Sequence, residues 1–256
     1  MTSTQHNSIG YLYDLEQFGV KLGLENIRVL QEALGFPDQS FTSIVVAGTN
    51  GKGSVAAILD TALRSAGYTT GRFTSPHLVS LKERFYVRGT PVAYDKLVAE
   101  TDRFRATVSH LLMTGKLLAP PTFFEATTAI ALSLFRNAGV RVAVLEVGMG
   151  GRFDATNVVT PTAVAIPSID LDHQQYLGTT LAEIAFEKAG VIKTGALVIV
   201  GETQLEAVEV IRQACHERAS RLVEAMPQVK TKVGLRNGLT ELDMTTPIRS
   251  YGPIRL

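Results

Sequence analysis

The segment SIVVAGTNGKGS, residues 43–54, decides the fold. Residues 43–47 are apolar and mostly β-branched and end at a glycine, which predicts a short buried strand. Residues 53–66 carry apolar side chains at helical spacing. The apolar face of this predicted helix consists of Val55, Ile58, Leu59, Ala62 and Leu63. A strand that passes through a glycine-rich turn into a helix is the unit from which α/β proteins are built.

The same alternation extends outward from this segment. Further strands are predicted at residues 70–73, 140–147, 163–167 and 196–200. Helices are predicted at about residues 9–18, 25–34, 94–113, 123–137, 181–188 and 204–219. This order predicts an α/β fold with a mostly parallel sheet flanked by helices on both faces.

The pattern changes near the C-terminus. Residues 229–235 and 239–244 flank Asn237-Gly238, a pair typical of tight turns, so a small β-hairpin is predicted there. Residues 253–256 show no convincing closing element.

Composition excludes several classes of function. Of 256 residues, 45% are hydrophobic and 19% are charged, as in soluble globular proteins. The net charge of +1 gives no sign of the basic surface that nucleic acids or membranes attract. No apolar run is long enough for a membrane helix, and residues 1–7 lack a signal-peptide core. Cys215 cannot form an internal disulfide and is expected to be buried or half-buried, so we expect a cytoplasmic protein.

The glycine-rich turn predicts phosphate binding. Glycines let the backbone curl so that N–H groups point at phosphate oxygens, and the following helix N-terminus adds positive charge. Lys52 can reach the β- and γ-phosphates, and the Ser54 hydroxyl suits magnesium. The spacing departs from G-x-x-x-x-G-K-[ST], because Val46 replaces the first glycine and Gly53 precedes the serine. The alternative is a turn with an exposed lysine. The candidates are Gly48, Thr49, Asn50, Gly51, Lys52, Gly53 and Ser54.

Two further strand ends carry polar side chains. Glu146 ends an apolar strand, where α/β sheets place ligands, and it needs a partner such as magnesium or an ion pair with Arg152 or a lysine. The glycine-rich stretch after it favours a ligand-contacting loop. After the strand at 163–167, His173 is either a ligand of magnesium or water, or a surface histidine. Asp170 and Asp172 either join that site or cap the next turn.

Six motifs together resemble the folylpolyglutamate synthase/dihydrofolate synthase family, within the wider Mur-ligase group. They are GTNGKGS, TSPHL, TFFEATT, LEVGMGGRFDATN, LDH…YLG.T and IAFEKAGVIK, in this order. The resemblance implies an α/β fold of the P-loop nucleotide-binding type, like the central domain of Mur ligases, with residues 1–256 as the ATP-binding ligase domain.

The resemblance also implies roles for individual residues. Gly48 to Ser54 would bind ATP, and two Mg²⁺ ions would share Ser54, Ser75, Glu146 and His173. The pterin-bearing substrate would contact Thr122, Phe123, Phe124, Glu125, Phe153, Asp154 and Ala155. One of Phe123 and Phe124 could instead belong to the helix core. Lys188 matches a lysine that is carbamylated in the family, whereas from sequence alone it would be a solvated lysine at a helix end. Lys52, Glu146, His173 and Lys188 are the candidate catalytic residues.

The implied reaction is the ATP-dependent ligation of L-glutamate to dihydropteroate, to folate or to both, through an acyl phosphate. The expected partners are these small molecules, and the full-length family members are expected to be monomers. Two departures stand out: Asp170 replaces a glycine, and the glutamate-binding C-terminal domain of the family is expected to be absent from this chain, which ends before it. A nucleotide-binding fragment without turnover, or another Mur-type amide ligase, is the alternative.

Overall fold

The computed structural model describes residues 3–201, 203–226 and 229–255. The strands are β1 (Thr42–Val46), β2 (Thr70–Phe73), β3 (Phe85–Val87), β4 (Thr90–Pro91), β5 (Val142–Glu146), β6 (Ala163–Ile166), β7 (Leu197–Val200), β8 (Arg221–Glu224), β9 (Lys230–Arg236), β10 (Leu239–Thr245) and β11 (Ser250–Arg255). The α-helices are α1 (Ser3–Asp14), α2 (Glu25–Ala33), α3 (Lys52–Ser65), α4 (Tyr94–Met113), α5 (Phe123–Asn137), α6 (Gln174–Leu177), α7 (Leu181–Ala189) and α8 (Leu205–Glu217).

An eight-stranded sheet in the order β4-β3-β2-β5-β1-β6-β7-β8 forms the centre of the molecule. Within this sheet, the pairs β2–β5, β5–β1, β1–β6, β6–β7 and β7–β8 are parallel. The two pairs at one edge, β2–β3 and β3–β4, are antiparallel. The predicted mostly parallel α/β fold is therefore confirmed. Val46 at the end of β1 is in register with Glu146 at the end of β5. The glycine-rich turn and the Glu146 carboxylate consequently lie at the same edge of the sheet.

Alternate residues of a strand point to opposite faces of the sheet, and helices cover both faces of this one. Val45 belongs to the large core cluster that includes the buried face of α5. Val46 belongs to a smaller cluster under α3. On α3 the predicted apolar face is partly wrong. Val55, Leu59 and Leu63 pack against the sheet, whereas Ile58 is 67% exposed and Ala62 is also exposed.

Several elements differ from the sequence prediction. The short strands β3, β4 and β8 were not predicted, and the predicted helix at 9–18 is an α-helix ending at Asp14 followed by a 3₁₀ turn at Leu15–Phe18. The predicted hairpin is present as β9 and β10, but β11 pairs with β10 and closes a three-stranded antiparallel sheet. Cys215 is buried on α8, as predicted. None of the helices within the described ranges is long and apolar enough to span a lipid bilayer.

Candidate active site

The loop between β1 and α3 requires glycine at two positions. Gly48 has φ 121° and Gly51 has φ 80°, a region that residues with side chains rarely adopt. A Cβ on Gly48 would also lie 2.9 Å from the carbonyl oxygen of Ser168. The loop approaches this residue closely because the Thr49 N–H donates to the Ser168 carbonyl (2.8 Å) and the Asn50 N–H donates to its hydroxyl (3.0 Å). The segment after β6 therefore holds the loop in its curled shape.

The first turn of α3 directs positive charge to the same edge of the sheet. The helix begins at Lys52, directly after the loop, and the N–H groups of a first turn have no acceptors within the helix. Lys52 Nζ donates to the Thr49 carbonyl oxygen at 2.9 Å, so the ammonium group lies over the loop. Ser54 is exposed in the same turn. This arrangement suits a phosphate group.

Glu146 is a buried carboxylate beside this turn. Its Oε2 accepts a hydrogen bond from the backbone N–H of Ser75 at 3.0 Å. A Cβ on Gly53 would lie 3.6 Å from both carboxylate oxygens. Burial raises the pKa of Glu146, and the hydrogen bond from Ser75 and the charge of Lys52 oppose that rise. The charges of Arg72 and Arg84 also oppose the rise, but burial outweighs them, and no ion pair within the described residues includes Glu146.

The ion pair considered for Glu146 is absent within the described part of the chain. Arg152 instead lies 3.7 Å from Glu187 and stacks between Phe153 and Phe186. In the described residues no hydrogen bond reaches Oε1 of Glu146. An open carboxylate oxygen with a raised pKa fits a hard divalent cation.

A cavity of about 470 Å³ opens between Lys52 and the start of α5. The predicted site residues that line it are Lys52, Ser75, Thr122, Phe124, Glu125, Phe153, Asp154, Ala155 and His173. The rest of its wall is Gly19, Val20, Lys21, Leu22, Gly23, Pro76, Arg84, Gly148 and Met149. The other predicted site residues lie outside this lining. Residues from seven separate stretches of sequence thus meet around one space.

The two adjacent phenylalanines at the start of α5 have different surroundings. Phe123 is buried and stacks on Tyr13, with ring centres 6.0 Å apart. Phe124 lines the cavity, contacts Phe73 and lies so close to Gly148 that a Cβ there would be 2.7 Å from its ring. Phe123 is therefore the core residue of the pair, and Phe124 is the one that a ligand in the cavity can touch.

His173 lines the cavity, but it belongs to no cluster of metal-binding side chains in the part of the chain that the structure describes. Its side chain is 47% exposed, and its Nε2 lies 3.5 Å from Asp172. Asp170 and Asp172 each accept a hydrogen bond from the backbone N–H of the next residue, as expected for local caps. Among the described residues, no group of three or more histidine, cysteine or acidic side chains could hold a metal.

Lys188 is not a solvated lysine. The residue is 2% exposed, and its Nζ donates to the carbonyl oxygen of Gly48 at 2.9 Å. Burial and the nearby charge of Lys52 lower the pKa of Lys188 to about 8, and Asp172 and Asp154 oppose the shift. The α7 helix end therefore places a partly neutral amine directly behind the glycine-rich loop.

Known proteins resemble this chain in both sequence and fold. Dihydrofolate synthase/folylpolyglutamate synthase of Bacillus subtilis is 39% identical over 221 residues, which is 86% of this chain and 51% of the relative. An FPGS–AMPPCP complex superposes with a TM-score of 0.91 at 31% identity, covering 98% of this chain and 61% of the other. Mycobacterium tuberculosis folylpolyglutamate synthase complexed with ADP gives a TM-score of 0.89 at 33% identity, covering 98% and 58%.

The chain is similar to members of the folylpolyglutamate synthase/dihydrofolate synthase family over most of its length. No family model matches it. The chain spans about half the length of the curated relatives it matches, 51% in the relative from Bacillus subtilis and 45% in that from Escherichia coli. Five of the six motifs contribute residues to the wall of the cavity, and the sixth, IAFEKAGVIK, places Lys188 against the glycine-rich loop.

Within this family fold, Asp154 braces the glycine-rich loop after β5. One carboxylate oxygen accepts hydrogen bonds from the backbone N–H groups of Gly148 and Met149, each at 3.0 Å. The other accepts from the backbone N–H and the hydroxyl of Thr156. Burial raises the pKa of Asp154, and these hydrogen bonds oppose the rise. Because its acceptor positions serve the loop, Asp154 shapes the cavity wall as well as lining it.

Glu125 combines a structural and an open acceptor. Its Oε2 accepts from the Thr122 N–H at 2.7 Å in a capping box that begins α5. Asn26 donates to the same oxygen at 3.5 Å. Its Oε1 is buried and has no partner within the described residues. A buried acceptor without a donor is costly, so this oxygen offers a bond to an N–H group of a ligand.

No site role was predicted from the sequence for Arg84 or for residues 19–23. Arg84 lines the cavity, its Nε donates to Nδ1 of His77 at 2.8 Å, and its guanidinium lies 5.0 Å from the centre of the Phe123 ring. Burial lowers the pKa of Arg84, and the nearby charges of Glu16, Tyr13 and Glu146 oppose that change. No local pattern separates this arginine from a surface one. Only the tertiary structure shows a fixed cation in the wall.

Proposed function

We propose that this chain forms the ATP-binding part of a ligase that joins L-glutamate to dihydropteroate, to folate or to both through an acyl phosphate. One observation carries the proposal: Lys52 and the start of α3 meet an apolar cavity lined by Phe124 and Phe153, with the Glu146 carboxylate beside them. Support comes from the names of the relatives and from the nucleotide complexes among the similar structures. We also propose a cytoplasmic protein that acts as a monomer.

The nucleotide phosphates would bind at the loop and the first turn of α3. The N–H groups from Gly51 to Ser54 and the Lys52 ammonium supply the donors. Lys52 now donates to a loop carbonyl, and a phosphate oxygen would replace that acceptor. Gly48, Thr49 and Asn50 complete the loop, and their contacts with Ser168 keep its shape.

Magnesium would be held by Glu146 with the hydroxyls of Ser54 and Ser75 and with His173, shared between two ions. Glu146 fits this role because its Oε1 is open and its pKa is raised by burial. When bound, Mg²⁺ would offset the repulsion between a carboxylate and a triphosphate. The positioning of both anions falls to Lys52 and the loop.

The pterin-bearing substrate would occupy the cavity. Phe124 and Phe153 provide aromatic faces, and the Oε1 of Glu125 provides an acceptor for an N–H group. Thr122, Asp154 and Ala155 would contact it from the same wall, while Phe123 would support Phe124 from behind. Arg84 adds a fixed cation that suits the carboxylate of the substrate.

Carbamylation of Lys188 is part of the proposal. The amine adds CO₂ only in its neutral form and releases one proton, which leaves an anionic carbamate. With its pKa lowered to about 8, Lys188 has a neutral fraction near physiological pH that an ordinary lysine lacks. A carbamate at this position would lie beside Lys52, whose charge would stabilise it.

Calorimetric titration of the chain with ATP and Mg²⁺ tests the phosphate site. Lys52→Ala should abolish measurable binding, while Lys116→Ala, which changes an exposed lysine away from the cavity, should leave the affinity unchanged. Equal affinity of the wild type and Lys52→Ala would reject the phosphate role.

Ligation is tested separately with ATP, Mg²⁺, dihydropteroate and labelled glutamate. Nucleotide binding without incorporation of label would favour the alternative of a nucleotide-binding fragment.

A further inference from the structure

A second and larger cavity, of about 660 Å³, lies at the opposite edge of the sheet. The β3–β4 turn, one side of α4 and the C-terminal end of α5 enclose it. Val87 pairs with Gly71 near the start of β2, and β2 runs parallel to β5 and therefore to β1. The start of β2 thus lies at the edge opposite to the loop that follows β1. A ligand here cannot reach the candidate active site.

The wall of this cavity is largely apolar. Val92 and Leu134 are buried in the protein and form part of the wall, and Val87 and Pro91 contribute the hairpin side. The volume falls within the range of about 300–1,000 Å³ that is usual for small-molecule sites. Apolar walls of this size favour a ligand with a ring or a branched aliphatic body.

The polar residues of the cavity have an excess of positive charge. Arg88, Lys96 and Arg103 line it, against a single carboxylate, Glu100. Glu100 is buried and already accepts from Asn137 Nδ2 at 3.0 Å and from Arg103 Nη1 at 3.4 Å. Within the described residues, Arg88 and Lys96 form no ion pair. Two cations are therefore available to a ligand.

The backbone that carries one of these cations is anchored to the neighbouring strand. Arg88 adopts a left-handed conformation with φ 54°, in the two-residue turn that it forms with Gly89. Its backbone N–H donates to the carbonyl oxygen of Thr70 at 2.9 Å. The guanidinium therefore extends from an anchored position, and its fork suits the two oxygens of a carboxylate.

We propose that this cavity binds a small organic monoanion with an apolar body, such as an aromatic carboxylate. The apolar wall takes the ring out of water, and Arg88 and Lys96 neutralise the acid group. A polyanion would exceed the two free cations and be repelled by Glu100, while a neutral ligand would leave both cations without a partner. The site does not depend on ligase activity, because it lies at the other edge of the sheet.

The probe for the test is 1-anilinonaphthalene-8-sulfonate, which joins apolar rings to one anionic group. Fluorescence titration at low salt should show saturable binding. The pair Arg88→Asn with Lys96→Ala should raise the Kd by about three- to tenfold, as expected for losing two exposed charge contacts. Asparagine tolerates the left-handed backbone of Arg88. The matched pair Arg236→Asn with Lys116→Ala removes the same charge elsewhere on the exposed surface and should leave the Kd unchanged.

Two further measurements distinguish the contribution of the apolar wall to binding from that of the two cations. Ala99→Trp, at an exposed position that lines the cavity, should weaken this probe and also N-phenyl-1-naphthylamine, which has the same rings without the acid group. The charge-removing pair should weaken only the anionic probe, and benzoate should displace it more than sodium chloride at equal concentration. The proposal is overturned by absence of saturable binding, by an unchanged Kd in Ala99→Trp, or by equal effects of the two charge-removing pairs.

Discussion

Replacing Lys188 by methionine should change how the stability of the protein depends on pH. The pKa of Lys188 falls from 10.5 to about 8 on folding because the amine is buried next to Lys52. Between these two values the unfolded chain binds the proton and the folded chain does not, so the stability of the wild type rises with pH. Lys188→Met carries no such group and has a similar length, so it lacks this rise.

The size of the effect follows from the two pKa values. A full shift from 10.5 to about 8 corresponds to about 3 kcal/mol of folding free energy. Integrated only from about pH 7 to about pH 9.5, the expected gain of the wild type over Lys188→Met is about 2 kcal/mol. By about pH 9.5 about 2 of the about 3 kcal/mol is thus recovered, and the rest follows only when the amine of the unfolded chain also becomes neutral.

Urea unfolding in CO₂-free buffers at a series of pH values measures this difference directly. The titrations of groups that do not interact with Lys188 are shared by both proteins and cancel when their unfolding free energies are subtracted. Lys116→Met is the control, because Lys116 is exposed and its replacement should give a difference that stays flat with pH. A wild-type minus Lys188→Met difference that is equally flat would refute the burial of Lys188 behind the loop.

Two other predictions concern packing and the loop. Gly71→Ala should lose about 1–3 kcal/mol of stability in urea unfolding, because its Cβ would lie 2.7 Å from the buried ring of Phe135. Gly10→Ala, in α1 with open space around it, should instead gain about 0.5–1 kcal/mol; the opposite order would contradict this packing. Asp154→Asn should lose about 1–3 kcal/mol and speed hydrogen exchange at the Met149 amide. Unchanged exchange there would rule out the bracing role.

Local sequence patterns predicted the elements that are long and whose ends are marked by residues in the sequence itself. The bounds of α5 agree with the prediction because Thr122 and Glu125 form a capping box before a continuous apolar pattern. The strands β3, β4 and β8 have only two to four residues each, which is too short for a periodicity to mark them. Short edge strands are held by their neighbours in the sheet, and the sequence of the strand itself does not show that pairing.

Tertiary contacts explain where the site differed from sequence reasoning. Helical periodicity placed Ile58 on the apolar face of α3, but the position of the sheet decides which side is covered, and Ile58 faces away from it. Lys188 looked solvated because nothing near it in sequence buries it, yet Gly48, 140 residues away, supplies its acceptor. Arg84 is fixed by His77 and by the Phe123 ring, contacts that no motif contains.

The opposing pKa shifts in the site indicate what kind of ligand would relieve them. Burial raises the pKa of Glu146, so its carboxylate would gain from a nearby cation. Burial and the charge of Lys52 lower the pKa of Lys188, so both lysines would gain from a nearby anion. A free metal ion would satisfy Glu146 while adding to the repulsion at the lysines, and a free phosphate would do the reverse. A ligand that brings a divalent cation and phosphates together satisfies both sides at once. The electrostatics of this site therefore favour joint binding of metal and nucleotide over binding of either one alone.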